Sequence, residues 1–522
     1  MKADLYDYII IGSGFGGCVS AMRLAEKGFR VLVLEKGKRY RDEDFAKTNW
    51  NIRKYLWMPL LRCFGIQQLS FFKEVFVIHG VGVGGGSLVY ANTHMQPGDA
   101  FYQNPRWAHF RDWKTTLAPY YEKARYMLGS TPARHQNIDD RFLAEIAKDL
   151  GREESFRGVD VGVYYGDPDT AVDPYFDGKG PLRKGCIECA GCMVGCRHNA
   201  KNTLDKNYLF FAEQKGAEIR PETLATQIEW DPETEQYTVF TKNSTSLFGE
   251  KQSFRAKGIV FSAGVLGTLK LLLEQKHKYQ SLSRLSDTLG ENLRTNSESL
   301  CGVVNTPHKL NNGVAISSFF QADDNTNVEV VKFSNRSGLM MRLGTLATGA
   351  GPPLIRLTKL IGNIFRQPLK FLRTLFAGDL AANGVVLLVM QTLDNSMRMV
   401  WKKGRMRMDN TAEAYQRVPA FIPKGQEIMH RYAEKAEGTA VNAITEIAFD
   451  MASTAHILGG CPMGSNEKEG VVNERFEVFG YPNMYILDGS IMPANPGVNP
   501  SLTITALSEY AMAQIPDLSK EP

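Results

Sequence analysis

The sequence predicts an α/β fold that opens on a strand, a glycine turn, a helix and a second strand, and three observations carry that prediction. A β-branched run, Tyr8 to Ile11, leads into Gly12-Ser-Gly14-Phe-Gly16-Gly17. Ala21, Leu24 and Ala25 then recur at helical spacing. A second apolar run, Val31 to Leu34, ends at an acid, Glu35, 18 residues after the last glycine. This order of elements is that of a Rossmann-like unit, in which the glycine spacing has a physical reason.

Each position in the turn has a task. Gly12 makes the tight turn, Gly14 lets a pyrophosphate approach the backbone, and Gly17 lets the helix pack on the strand. The helix N-terminus supplies partial positive charge. Glu35 accepts hydrogen bonds from the adenosine ribose hydroxyls. NAD and FAD present the same ADP half to such a unit, so the fingerprint alone does not choose between them. A second glycine loop, His79-Gly80-Val-Gly82-Val-Gly84-Gly85-Gly86-Ser87, suits a flavin, which needs further backbone contacts along its ribityl chain and ring, and taken alone it suits a structural Ω-loop equally.

The chain has 522 residues, 43% of them hydrophobic and 22% charged, which excludes disorder and allows two or three domains. Its 48 glycines cluster rather than repeat, pointing to loops that need close backbone approach. A net charge of +5 is too small on this length to argue for a nucleic-acid partner. The polar start, Met1 to Asp7, has no basic region or signal core, so the protein is expected to be cytoplasmic. The longest apolar run, Gly384 to Met390, is too short to span a bilayer. Cys18, Cys63, Cys301 and Cys461 are scattered singly and read as buried thiols.

The C-terminal third carries Ser453-Thr-Ala-His456-Ile-Leu-Gly459-Gly460-Cys-Pro-Met-Gly464, Leu487-Asp488-Gly489-Ser490 and Pro496-Gly497-Val498-Asn499-Pro500-Ser501-Leu-Thr503. With the N-terminal fingerprint, the second glycine loop and the segment Ile259 to Leu272, these motifs resemble the glucose-methanol-choline (GMC) flavoprotein oxidoreductases, most closely the cholesterol oxidase branch. The resemblance runs over nearly the whole chain. It implies a discontinuous Rossmann-like FAD-binding domain and a second, α+β substrate domain with a large sheet. It also implies non-covalent FAD, with Gly12, Gly14, Gly17 and Glu35 on the ADP half and Gly85 and Gly86 toward the flavin. Asp488 and Gly489 fall at the pyrophosphate and ribityl region, and Pro500 and Ser501 also fall on the cofactor side. His456 matches the family's active-site histidine, and Asn499 its asparagine partner. The residue types suit alcohol oxidation, since a neutral imidazole accepts the hydroxyl proton while an amide donates to developing negative charge. Cholesterol oxidases of this branch also carry a glutamate that isomerises the steroid double bond. Its segment falls near Leu380-Ala381-Ala382-Asn383, where Asp379 is nearby but is not a match, so isomerisation and cholesterol itself as substrate stay open.

Cys186, Cys189, Cys192 and Cys196 form CxxCxxCxxxC, the spacing of ferredoxin ligands, with Arg197 where ferredoxins place proline. An iron-sulfur cluster is the expectation, zinc or plain thiols the alternatives. A cluster would pass electrons to a protein or quinone acceptor; without one, molecular oxygen is the acceptor. From Val330 to Gly378 there is no acidic residue, and between Leu354 and Phe376 bases such as Lys359, Arg366, Lys370 and Arg373 interleave with large apolar residues. This pattern, and a second basic apolar patch from Arg53 to Arg62, fit a membrane surface, with ordinary core beneath a solvated face as the alternative for each. The expected division is FAD domain at 1–45, 73–100, 201–300 and 451–522, an entrance loop at 46–72, an insert with the cysteines at 101–200, and a substrate domain at 301–450. The expected function is oxidation of a bulky hydrophobic alcohol, sterol-like, to a ketone, with a long-chain alcohol dehydrogenase, a flavin lyase or decarboxylase, and an electron-transfer module without its own substrate as the alternatives.

Overall fold

A computed structural model describes residues 5–134, 136–246, 248–409 and 418–518. The first four residues of the polar N-terminal segment lie outside these. Two seven-stranded sheets organise the molecule. The first sets the strand Leu5–Ile11 between Val31–Leu34 and Lys251–Phe261, all parallel, with Glu218–Arg220 beyond Val31–Leu34. Met484–Ile486 adds a parallel strand on Lys251–Phe261, and Gln236–Asn243 and Thr223–Asp231 continue as an antiparallel meander. Ile9, Ile10, Leu32 and Val33 have no exposed surface, as strands covered on both faces require. The helices Phe15–Glu26 and Ser501–Ala513 pack against each other in the layer that covers this sheet.

The second sheet is antiparallel throughout. Its order is Gly344–Leu346, Thr439–Ala443, Ser299–Val304, Val385–Gln391, Thr326–Val331, Ser318–Asp323 and Arg157–Gly158. The longest apolar run of the sequence is thus its central strand, with Val385, Leu387, Val389 and Met390 almost fully buried. Helices Ile138–Asp149 and Pro423–Lys435 cover one face and form a separate core with it. The other face is turned toward the cavity described below, which Leu300, Val386 and Leu388 line. The architecture is therefore an α/β fold with a Rossmann-like domain and a large antiparallel substrate sheet.

Candidate active site

The strand Leu5–Ile11 delivers the chain to Gly12, where φ is +101° and a Cβ would stand 2.2 Å from the Ser262 carbonyl oxygen. Only glycine fits there. A Cβ on Gly17 would meet the Gly12 carbonyl at 2.1 Å, so this glycine serves helix-to-strand packing. Gly14 differs from both. Its Cβ would have one neighbour, the Ser262 oxygen at 3.8 Å, and the residue lines a cavity, so the space there is open to a ligand rather than filled by protein. Gly14 is also the N-cap of the helix Phe15–Glu26, with no side-chain cap, which presents the positive end of the helix to that cavity. The second glycine loop packs directly on the first: a Cβ on Gly85 would lie 2.6 Å from Gly14 Cα. Ser13 ties the two together, its hydroxyl donating to Glu35 Oε2 at 2.8 Å and accepting from Gly84 N at 3.1 Å. Glu35 also takes Gly37 N at 2.8 Å, so its carboxylate braces the turn while lining the same cavity.

That cavity measures about 930 Å³ and runs the length of the site. Gly12, Gly14, Glu35, Gly85, Gly86, Asp488, Gly489, Pro500 and Ser501 line it, as do His456 and Asn499. Leu300, Ile316, Val331, Phe333, Met341 and Val386 make its apolar part, which lies on the second sheet. The residues fit an FAD molecule: an open glycine cradle, an uncapped helix N-terminus and an acid at the second strand stand in one cavity. Asp488 is buried, accepting from Thr268 Oγ1 at 2.6 Å and Ser490 N at 2.8 Å, and burial holds its pKa above the usual carboxylate value.

His456 follows the short strand Ala452–Thr454, which pairs with Val75–Gly80. Beneath it lies Glu298, with no exposed surface. One carboxylate oxygen accepts from the Thr454 hydroxyl, from Ala455 N at 2.9 Å and from His456 N at 3.2 Å. The other stands 2.5 Å from His456 Nδ1. Charge attraction between the two sets in once the imidazole is protonated. Burial works to lower the imidazole pKa, but Glu298 and then Glu329 outweigh it and the pKa is raised. Asn499 donates its amide to Glu329 Oε2 at 3.2 Å, while its own Oδ1 and the Glu329 Oε1 are buried without a protein partner. Burial lifts the Glu329 carboxyl to about 7.

Glu298 and Glu329 were not read from the sequence. Glu329 had a signal, since a lone acid inside Thr326–Val331, an otherwise uncharged strand, must be buried with a purpose. Glu298 had none beyond a polar run before an apolar strand. The segment Leu380–Asn383, taken for that of the family's glutamate, is a turn in which Asp379 accepts from Ala381 N and Ala382 N. The carboxylate beside Asn499 comes from the strand Thr326–Val331 instead.

The structure lends the iron-sulfur expectation no support. Cys186, Cys189, Cys192 and Cys196 share one loop, yet among the described residues no three His, Cys, Asp or Glu side chains are arranged to hold a metal ion. The loop is organised by Lys201, whose buried ammonium donates to the carbonyls of Leu88, Tyr90 and Cys192 at 3.1, 3.0 and 2.8 Å. Of the basic apolar patches, Leu354 to Phe376 forms the two helices Pro353–Arg366 and Pro368–Phe376. In the other, Tyr55, Trp57 and Pro59 line the cavity while Leu60 and Leu61 are exposed. Among the described residues no helix is long and apolar enough to cross a membrane.

A Rossmann-like domain that offers a glycine cradle, joined through one cavity to a sheet-walled apolar chamber with a histidine and an asparagine, defines a two-domain flavin oxidoreductase. Residues 390–508 match the model of the GMC oxidoreductase C-terminal region and residues 10–40 that of an NAD(P)-binding Rossmann-like domain. A cholesterol oxidase of Mycobacterium tuberculosis is 40% identical over 99% of this chain and 92% of its own length, and one of Acinetobacter baumannii is 39% identical over 98% and 94%. Among solved structures, pyridoxine 4-oxidase from Mesorbium loti superposes with a TM-score of 0.61 at 15% identity, over 98% of this chain and 99% of that one, which is a likeness of fold. The chain belongs to the GMC oxidoreductase family and is an FAD-dependent oxidoreductase acting on CH–OH donors.

Proposed function

We propose that the enzyme oxidises the hydroxyl of a bulky hydrophobic secondary alcohol, a 3β-hydroxysteroid or a molecule of like shape, to the ketone. The observation that carries this is the single cavity of about 930 Å³ in which the glycine cradle, His456, Asn499 and a large apolar chamber meet. The cholesterol oxidases at 39 and 40% identity support the same substrate class. Gly12, Gly14, Glu35, Gly85, Gly86, Asp488, Gly489, Pro500 and Ser501 would hold FAD, which would supply the hydride acceptor, while Gly17 keeps the helix packed on the strand.

The rest is done by side chains of this chain. The apolar chamber takes the hydrocarbon body and excludes water, leaving the carbinol group to reach His456 and Asn499. His456 accepts the hydroxyl proton on Nε2, and Glu298, against Nδ1, stabilises the imidazolium that forms. Asn499, held by Glu329, orients an amide toward the same oxygen. Glu329, at about 7, exchanges a proton near neutral pH without leaving its place. Such a substrate resides in bilayers, so the enzyme meets it at a membrane surface. The test is an anaerobic visible spectrum before and after a 3β-hydroxysteroid is added. Bleaching of the flavin bands supports the reading, and recovery on admitting air makes oxygen the acceptor rather than a quinone or protein. An unbleached flavin overturns the sterol assignment, and bleaching by long-chain aliphatic alcohols alone replaces it.

A further inference from the structure

The helices Pro353–Arg366 and Pro368–Phe376 stand out from the substrate domain as a hairpin with an unusual surface. Leu354, Phe365, Leu369 and Phe376 are 78, 81, 71 and 79% exposed, and Ile361 and Leu372 are about half exposed. Single exposed apolar residues are ordinary; with Ile355 and Leu375, each 48% exposed, eight large ones on two consecutive helices are a patch. Lys359, Arg366, Lys370 and Arg373 are exposed on the same helices, and no acid occurs between Val330 and Gly378.

The underside is fastened to the cavity wall at both ends. On the first helix the buried Arg356 pairs with Asp450 and, at 3.7 Å, with Glu446. Glu446 lies in the short helix Ile444–Phe449 and Asp450 caps its C-terminus, and Asn442, Ala443 and Thr445 at its start line the cavity. On the second helix Arg342 caps the final turn through the carbonyls of Thr374, Leu375 and Ala377. Its neighbours Met341 and Leu343 line the cavity too. The hairpin's outer face therefore lies one layer away from the apolar chamber.

We propose that this hairpin docks the enzyme on an anionic lipid bilayer, its apolar face entering the acyl boundary and its four bases meeting acidic headgroups, so that the substrate chamber opens toward lipid. The charge pattern selects the occupant: four exposed bases on the two helices, with a single acid, Asp379, at the edge of the face and held by Arg336 N, complement anionic lipid. The proposal deepens the membrane encounter proposed above and rests on it.

The test uses the full-length holoenzyme and vesicles of phosphatidylcholine with about a third phosphatidylglycerol, scored by co-sedimentation. The wild type should bind these about tenfold or more tightly than pure phosphatidylcholine vesicles, and roughly 0.5 M salt should weaken that binding. The triple variant Phe365→Ser/Leu369→Ser/Phe376→Ser should lose about tenfold in vesicle affinity. It should oxidise a detergent-dispersed 3β-hydroxysteroid as the wild type does, because none of the three residues lines the main cavity. Equal vesicle binding by wild type and variant, or no preference for anionic vesicles, overturns the proposal. So does a wild-type oligomer that the variant breaks, which would put a second copy of the chain on this face. A wild type that binds vesicles but leaves the detergent-dispersed steroid untouched supports the docking and overturns the substrate reading.

Discussion

Nδ1 of His456 lies 2.5 Å from Oε1 of Glu298, a carboxylate without exposed surface whose second oxygen is held by the Thr454 hydroxyl and two backbone amides. Burial alone would make His456 a poor base, and Glu298 reverses this. The neutral form accepts the proton, so the acid limb of kcat/KM reports the histidine. In Glu298→Gln the desolvation cost prevails, the limb moves to lower pH, and kcat falls by about 10²-fold. A pH profile of kcat/KM checks this. A Glu298 that only braced the loop would cost stability and leave the limb where it was.

His456→Gln removes the base while leaving the glycine cradle untouched. Flavin content should stay at the wild-type level, and the rate of flavin bleaching by substrate should fall by about 10²- to 10⁴-fold. Stopped-flow mixing under anaerobic conditions measures it. Loss of flavin instead would place His456 among the residues that hold the cofactor.

Glu329 makes a prediction about stability. Burial raises its carboxyl from 4.5 to about 7, so the folded state favours the proton. Its contribution is complete below about 4.5, the unfolded value, and is lost as pH rises through about 7. Above that, a buried carboxylate costs the native state on the order of 3 kcal/mol. Glu329→Gln should therefore melt higher than the wild type at pH 8.5 and with little difference at pH 4. Melting of the two proteins across that range decides it, and equal melting at alkaline pH would mean the carboxylate is solvated or paired.

The nucleotide half of the site was legible because its signal is local. Gly12, Gly14, Gly17 and Glu35 stand within one strand-helix-strand unit whose spacing encodes its geometry. His456 and Asn499 were legible as motifs, but not their partners: Glu298 is 158 residues from His456 and Glu329 is 170 from Asn499, brought close by sheet register. The strand Arg157–Gly158, which closes the second sheet, is two residues long and carries no periodicity. The cysteine spacing does not by itself decide a cluster, because spacing sets how far apart ligands lie along the chain, not where the side chains point. In this loop Glu188 and Ala190 take left-handed backbone conformations between the cysteines, a turn the spacing cannot reveal.

Gly12 and Gly14 separate folding from cofactor binding. In Gly12→Ala the new methyl would stand 2.2 Å from the Ser262 carbonyl oxygen at a φ of +101°, so strand and turn must move. That variant should be largely unfolded or insoluble. At Gly14 φ is −73° and the nearest atom to a Cβ is the Ser262 oxygen at 3.8 Å, so the chain accepts alanine without strain. What the methyl enters is the cavity at the helix N-terminus, where the pyrophosphate approaches the backbone. Gly14→Ala should therefore give soluble protein with wild-type secondary structure that holds FAD about tenfold or more weakly. Far-ultraviolet circular dichroism and the ratio of flavin to protein absorbance, taken on the same sample, test both halves. Wild-type flavin content in Gly14→Ala would show that the cofactor does not lie against this turn.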